Sequence, residues 1–316
     1  MQDIVLRIFL LLLSSFFLAL GANYFVEGAH RVAVRFGISQ LVIGVTLVAL
    51  GTSLPEFFVS LVALVRGSSD ISVGNVVGSN ICNIGLILGV SALVSPVKCN
   101  RDIFSFEYPY MMLTAVVVFL LSRDGVLGHG DGVILLGMLL IFIGYFALVK
   151  KSPPVEEEVK EVSFPSLPGA LFICIAGLLM LLISSEVFVR SAIWVARALG
   201  VSEVVIGLSL VALGTSLPEL ASSLAASLKG KDDIAVGNVL GSNILNIVFI
   251  LGVLSSFGRV AVERRVYAFD MPYMLGLGLL LFPLMRRNYK IGRFGGILLL
   301  IAYGVYIFVI YSKGRI

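Results

Sequence analysis

Two stretches of this chain are copies of each other. LVIGVTLVALGTSLPEFFVSLVALVRGSSDISVGNVVGSNICNIGLILGV at 41–90 aligns without a gap to VVIGLSLVALGTSLPELASSLAASLKGKDDIAVGNVLGSNILNIVFILGV at 204–253. The offset is 163 throughout, and 33 of the 50 positions are identical. Unrelated apolar helices match Leu with Val by chance; they do not hold GTSLPE, VGNV and GSNI in register. An internal duplication therefore organises the fold. Each copy also sets a glycine, a proline and a carboxylic acid, GTSLPE at 51–56 and at 214–219, inside an apolar run.

The apolar setting defines the solvent. Of the 316 residues 59% are hydrophobic and only 13% charged, against about 25% charged in soluble domains. Mean hydropathy is +1.05. This is the composition of a polytopic membrane protein. The net charge of +4 sits in single or paired residues between apolar spans, with no aromatic-interleaved basic stripe, so nucleic acid is not an expected partner. Cys82, Cys99 and Cys174 lack metal-like spacing and read as small packing residues. His30 and His129 fall near span ends with no second ligand nearby and read as surface residues. The N-terminus lacks a charged n-region with an A-x-A site, so the opening run reads as a retained first helix.

A spanning helix needs about 20 mostly apolar residues. The apolar runs predict ten: roughly 4–36, 39–65, 71–94, 106–122, 131–149, 167–199, 202–228, 234–257, 268–285 and 292–312. The first and sixth are long enough to be tilted or to extend past the bilayer. The second, third, seventh and eighth carry Gly, Pro, Ser, Thr and Asn at mid-span. Irregular backbone survives at that depth only inside protein or beside a water-filled cavity, which puts these four at the centre.

KKSPPVEEEVKEVSFPSLPG, 150–169, is Pro- and Glu-rich and reads as a solvated linker, too short for a folded regulatory domain. It divides the chain into a first five-helix repeat at 1–149, a linker at 150–166 and a second repeat at 167–316. Five is odd, so the second repeat enters the membrane from the other side. The halves are then related by a pseudo-two-fold axis in the membrane plane. On the linker's face we count 13 of the 23 basic residues: Arg31, Arg35, Lys98, Arg101, Lys150, Lys151, Lys160, Lys229, Lys231, Arg286, Arg287, Lys290 and Arg293. The positive-inside rule then places the linker in the cytoplasm and both termini outside.

Helical spacing groups the polar residues. Thr52 and Glu56 are four apart and share a face, as do Ser79 and Asn83 on the next helix. The second copy repeats this with Thr215, Glu219, Ser242 and Asn246. Pro55 disturbs the preceding turn and releases carbonyls near Ala49 and Leu50; Ala212 is the counterpart of Ala49. The inventory is all oxygen, with no imidazole or thiolate, which suits hard cations. Two carboxylates meeting at the midplane repel, and a divalent cation neutralises both. Ca2+ fits best because it takes six to eight oxygens in flexible geometry. An ionisable residue inside a span is functional by default, and no Lys or Arg lies within a turn of either glutamate in sequence. The remaining polar residues have plainer readings. Asn75, Asn238, Asn80 and Asn243 read as helix–helix hydrogen bonders, the glycines of 74–89 and 237–252 as packing contacts. Asp70 and Asp233 read as N-terminal caps.

These paired blocks, GTSLPE…GNVVGSNICN and GTSLPE…GNVLGSNILN, resemble the two alpha-repeats of the sodium/calcium exchangers, within the calcium/cation antiporter superfamily, and are close to prokaryotic calcium/sodium antiporters. The resemblance implies an all-α polytopic membrane protein of ten transmembrane helices in two inverted five-helix repeats, with broken helices 2, 3, 7 and 8 at the centre. It implies Na+/Ca2+ exchange that extrudes cytoplasmic Ca2+ across the cell membrane. No resident cofactor is implied; Ca2+ and Na+ are cargo, the lipid bilayer is the surrounding partner, and a monomer suffices. By position, the implied ligands are Glu56, Glu219, Thr52, Ser53, Ser79, Asn83, Thr215, Ser216, Ser242 and Asn246, with carbonyls of Ala49 and Ala212. Long helices 1 and 6 of relatives slide to alternate access; their counterparts are 4–36 and 167–199. Several relatives carry an acid at the position of Asn246, so this site offers two carboxylates rather than three. Three rivals define the tests: an H+/Ca2+ or K+-dependent exchanger using the same glutamates, a cation channel, and an intramembrane enzyme. The last has no HExxH, Ser/His pairing or cofactor motif to support it.

Overall fold

The computed structural model describes residues 2–149, 167–199 and 212–313. The linker expected at 150–166, and the part of the seventh segment before Ala212, lie outside the described residues. Among the described residues, eight helices are long and apolar enough to cross a membrane, and a bent pair makes up to nine. The protein is thus an all-α membrane protein. The strands among the described residues are four two-residue pieces, Val97–Lys98 with Lys290–Ile291 and Val126–Leu127 with Val260–Ala261, both antiparallel. The helix Glu107–Leu121 separates Val97–Lys98 from Val126–Leu127, so the two pairs sit at opposite ends of the bundle.

Burial separates centre from periphery. Within an 18-residue stretch of Asp232–Phe257 94% of the residues are buried, and within one of Ile71–Val94 78%, against 17% in the corresponding stretches of Val5–Phe36 and His129–Ala147. The two central spans are those carrying Ser, Asn and Gly, which a lipid-facing helix could not satisfy.

The segment expected at 39–65 is broken. Gln40–Thr52 and Leu54–Val65 meet at 43° across Ser53. Pro55 causes this: it has no N–H to offer Gly51 four residues back, and its fixed φ suits the first turn of a new helix. The carbonyl of Ala49 is not released, since it accepts from Ser53 N at 3.0 Å. The third and eighth segments are not broken. Ser69–Cys82 continues through a π-helical stretch, Asn83–Ile87, into Leu88–Val94. Asp232–Leu245 continues through Asn246–Leu251 into Gly252–Phe257. Neither segment contains proline, and a π turn widens the helix without ending it.

Close backbone approach fixes two contacts. A Cβ on Gly241 would lie 2.5 Å from Val45 O, so the first half of the broken helix packs directly on 232–257. A Cβ on Gly177 would lie 2.3 Å from Phe25 N, so Leu167–Ala198 and Gln2–Phe36 run in backbone contact.

Two minor expectations change. His30 is buried, 6% exposed, because Gln2–Phe36 carries it inward; His129 is exposed. Asp70 and Asp233 are not the caps: Ser68 and Lys231 hold those positions, and Asp233 sits in the first turn of its helix, where a negative charge meets the positive helix end. All three cysteines are buried free thiols.

Candidate cation site

Each half of the duplicated motif delivers its glutamate to the first turn of a short helix, Leu54–Val65 or Leu217–Leu228. Both Glu56 and Glu219 are fully buried, at 0% exposed. Among the described residues neither has a salt-bridge partner, although five other ion pairs occur. Two uncompensated buried acids cost too much to be structural filler.

The serines preceding each proline hold them, and they do so crosswise. Ser53 donates to Glu219 Oε1 at 3.1 Å, and Ser216 donates to Glu56 Oε1 at 3.1 Å. Ser79 adds a longer bond to Glu56 Oε1 at 3.4 Å. Each carboxylate therefore has one oxygen tied to the other copy of the motif. Its second oxygen, Glu56 Oε2 or Glu219 Oε2, has no hydrogen-bond partner among the described residues. Asn83 Oδ1, Asn246 Oδ1 and Ser242 Oγ are buried and unpartnered in the same way.

Two further amides brace the glutamate backbones from behind. Asn75 Nδ2 donates to Glu56 O at 3.2 Å and to Ser60 Oγ at 3.0 Å. Asn238 Nδ2 lies 3.4 Å from Glu219 O and 2.8 Å from Ser223 Oγ. Both are helix–helix hydrogen bonders, as expected. Thr52 Oγ1 lies 3.0 Å from Val48 O and 3.1 Å from Asn238 Oδ1. These acceptors take up its proton, which leaves only its lone pairs for a cation.

The structure thus forms two hydrogen-bonded groups that cross the motif copies, Ser53 with Glu219, and Ser216 and Ser79 with Glu56, with Asn83 one helical turn from Ser79. Thr215 is buried two residues before Pro218's turn begins. Ser242, also buried, is four residues before Asn246 on the same helix face. Ala49 supplies a carbonyl already bonded in its helix. Ala212 opens the short helix Ala212–Thr215. A cavity of about 300 Å3 reaches Ser79 and Thr215 and extends past Asp270 and Tyr306 to Glu263 and Arg265.

Sequence reasoning missed a second pair of buried acids. Glu107 and Asp270 are 0% and 5% exposed, and they are again 163 apart. The signal was present in FEYPYMM at 106–112 and FDMPYML at 269–275, beyond the point where strong identity fades.

The family model for sodium/calcium exchanger proteins matches residues 6–148 and 169–312. An uncharacterized membrane protein of Methanocaldococcus jannaschii is 38% identical over 300 residues, covering 95% of this chain and 96% of its own. The sodium/calcium exchanger MaX1 of Methanosarcina acetivorans is 33% identical over 347 residues, covering 98% and 99%. Among solved structures, the sodium-calcium exchanger NCX_Mj soaked with zero Na+ and Ca2+ superposes with a TM-score of 0.85 at 37% identity, covering 97% of this chain and 99% of that one.

Proposed function

The chain belongs to the sodium/calcium exchanger protein family, and from that premise we propose that it is a secondary-active antiporter. It exchanges Ca2+ for Na+ by alternating access and extrudes cytoplasmic Ca2+ across the cell membrane. It is a transporter, not an enzyme. The observation that carries this reading is the crosswise pair of fully buried glutamates, each with one oxygen tied to the opposite copy of the motif and one left for cargo.

The chemistry follows from that arrangement. Two carboxylates balance one Ca2+, and Ser, Thr and Asn oxygens complete the shell that such an ion requires. Na+ takes the same oxygens in competition, so neither ion holds the site while the other fills it. The ligands in this reading are Glu56, Glu219, Thr52, Ser53, Ser79, Asn83, Thr215, Ser216, Ser242 and Asn246, with the Ala49 and Ala212 carbonyls as the weakest members. Both glutamates come from one chain, so a monomer carries a complete site.

The inverted-repeat reading gains support from hydrogen bonds that recur at the sequence offset, Ser53 with Ser216 and Asn75 with Asn238. We take 1–149 and 167–316 as the two repeats, joined by a cytoplasmic linker at 150–166, with both termini outside. The cavity past Asp270 then leads from the site to the outer face.

Flux into proteoliposomes tests the assignment, with Na+, K+ and H+ gradients imposed one at a time. Ca2+ uptake is expected to follow an outwardly directed Na+ gradient. Uptake that ignored Na+ and followed pH would replace this reading with a proton-coupled one.

A further inference from the structure

Four asparagines form a closed hydrogen-bonded brace between the two central helices, 69–94 and 232–257. Asn83 Nδ2 donates to Asn243 Oδ1 at 3.0 Å, and Asn246 Nδ2 donates to Asn80 Oδ1 at 3.0 Å. The outer pair, Asn80 and Asn243, reach past each other to backbone. Asn80 Nδ2 donates to Asn243 O at 3.1 Å, and Asn243 Nδ2 to Asn80 O at 3.4 Å. All four are buried. The pattern maps onto itself at the offset of 163, since 80 + 163 = 243 and 83 + 163 = 246.

The brace has a direction, and the backbone sets it. A carbonyl oxygen only accepts, so the Asn80 amide must turn its NH2 toward Asn243 O. A flipped Asn80 would set two acceptors against each other. Its Oδ1 is thereby fixed toward Asn246. Asn246 must then offer its own NH2 to Asn80, which turns Asn246 Oδ1 away from the brace. The same sequence of constraints runs from Asn80 O through Asn243 to Asn83. The bonding shows the result: Asn83 Oδ1 and Asn246 Oδ1 are the brace's two oxygens without a hydrogen-bond partner among the described residues. Both belong to the residues where the helices widen into π turns, one turn beyond Ser79 and Ser242. Asn80 and Asn243 lie on the far side, where they line a small space with Met111, Ile84 and Ile247.

We propose that Asn80 and Asn243 are positioning residues for cation binding: they lock the amides of Asn83 and Asn246 oxygen-forward, so that two neutral side chains present only oxygen to the ion. This rests on the reading of Asn83 and Asn246 as ligands. An unlocked amide presents its NH2 to the ion in one of its two orientations, and a donor facing a cation is repelled. A carboxylate has no wrong face. The lock is therefore needed where the ligand is an amide and dispensable where it is an acid.

That difference gives the test. Ca2+ affinity is measured by calorimetry on the full-length purified protein. Asn80→Leu is expected to weaken Ca2+ binding at least about tenfold, the usual scale for losing a group that orients a metal ligand. In an Asn246→Asp background the same Asn80→Leu change is expected to cost less than about twofold. The mirror pair, Asn243→Leu alone and with Asn83→Asp, is expected to behave the same way. Equal losses in both backgrounds, or no loss in the wild-type background, would overturn the proposal, because a merely structural brace matters equally to an amide and an acid. Asn246→Leu separates the two levels. If it leaves Ca2+ affinity unchanged, the ligand reading fails and the positioning role falls with it; if it abolishes binding while the backgrounds agree, only the positioning role fails. A crystal structure of the wild-type protein with Ca2+ decides the matter without any variant that must fold. The two 3.0 Å brace bonds are expected to persist with the ion about 2.3–2.6 Å from an amide atom of Asn83 or Asn246. An ion more than a water's width from both overturns the proposal.

Discussion

Replacing Glu219 by Gln changes charge and little else, which makes it the sharpest probe of the site. The amide keeps the volume of the carboxylate, and its Oε1 still accepts from Ser53 at the position that now gives a 3.1 Å bond. What is lost is one of two buried negative charges, and the unpartnered Oε2 becomes an NH2. With both acids, one Ca2+ is balanced. With Glu56 alone, a net positive charge remains in a site where both positions are fully buried and no ion pair among the described residues compensates. Removing one partner from a buried ionic contact costs about 3–5 kcal/mol. At about 1.4 kcal/mol per factor of ten, Ca2+ affinity should fall roughly 150- to 4,000-fold. One carboxylate still balances one Na+, so Na+ binding should fall at least about tenfold less. Thermal unfolding in detergent reads both. Ca2+ at 100 times the wild-type Kd stabilises wild type by about 2.7 kcal/mol; the variant at the same concentration gains at most about 0.3 kcal/mol. A variant that melts like wild type without Ca2+ yet keeps the Ca2+-induced gain would refute the two-carboxylate site. Equal losses for Na+ and Ca2+ would refute the charge argument specifically.

Two further outcomes follow from packing and burial. Gly177→Ala puts a methyl 2.3 Å from Phe25 N and 2.8 Å from Phe25 Cα; backbone cannot rotate away, so the helix pair must separate, at a cost of about 1–3 kcal/mol in a thermal melt. Gly137→Ala, with nothing within 4 Å of the new methyl, should not lower the melting temperature. Cys99 lies outside the spanning helices, 4% exposed, and burial pushes its thiol up to about 12. A raised thiol pKa keeps the unreactive neutral form, and reactivity returns only as pH rises toward that value. At pH 8.5 the thiolate fraction is roughly a thousandth of an ordinary cysteine's, so peptide mapping should find Cys99 unalkylated in the folded protein and fully alkylated in denaturant.

The duplicated motif made the glutamates legible before any coordinates, because an ionisable residue in a span has few innocent explanations. The crosswise bonds were not legible. Spacing tells which residues share a face of one helix, and says nothing of what faces them; that Ser53 serves Glu219 rather than Glu56 depends on how the two copies meet. Asn80 and Asn243 were read, with Asn75 and Asn238, as plain helix–helix bonders because an Asn inside a membrane helix commonly serves helix packing. Their directional constraint on Asn83 and Asn246 appears only when backbone carbonyls of the opposite helix come into reach. The third and eighth segments read as broken because small polar residues mimic the composition of a break; with no proline, the ladder re-forms as a π turn. His30 read as a surface residue because it falls near the end of the segment predicted at 4–36; nearness to a helix end does not tell which face of the helix a residue occupies.

The glycine that opens GTSLPE has a separate task from the residues behind it. A Cβ on Gly51 would lie 3.1 Å from Phe25 Cζ and 3.2 Å from Leu178 Cδ2, and one on Gly214 would lie 2.7 Å from Val189 Cγ2. Both glycines thus face the peripheral pair Gln2–Phe36 and Leu167–Ala198, and they face side-chain ends rather than backbone. Thr52, Ser53 and Glu56 point to the centre, where the crosswise hydrogen bonds join the two motif copies. The break is therefore bonded on its inner side and smooth on its outer side. Alternating access, as proposed, needs such a division, because the cation site must stay assembled while something else moves. Gly51→Leu places a bulky wedge on the smooth side and leaves every site hydrogen bond untouched. Ca2+ affinity in detergent should stay within about threefold of wild type, while Na+-driven Ca2+ flux should fall at least about fivefold, a larger side chain at a tight contact costing about 1–3 kcal/mol each time it is passed. Flux at the wild-type rate would mean that the peripheral pair does not move across Gly51, and loss of binding together with flux would mean that the glycine belongs to the site itself.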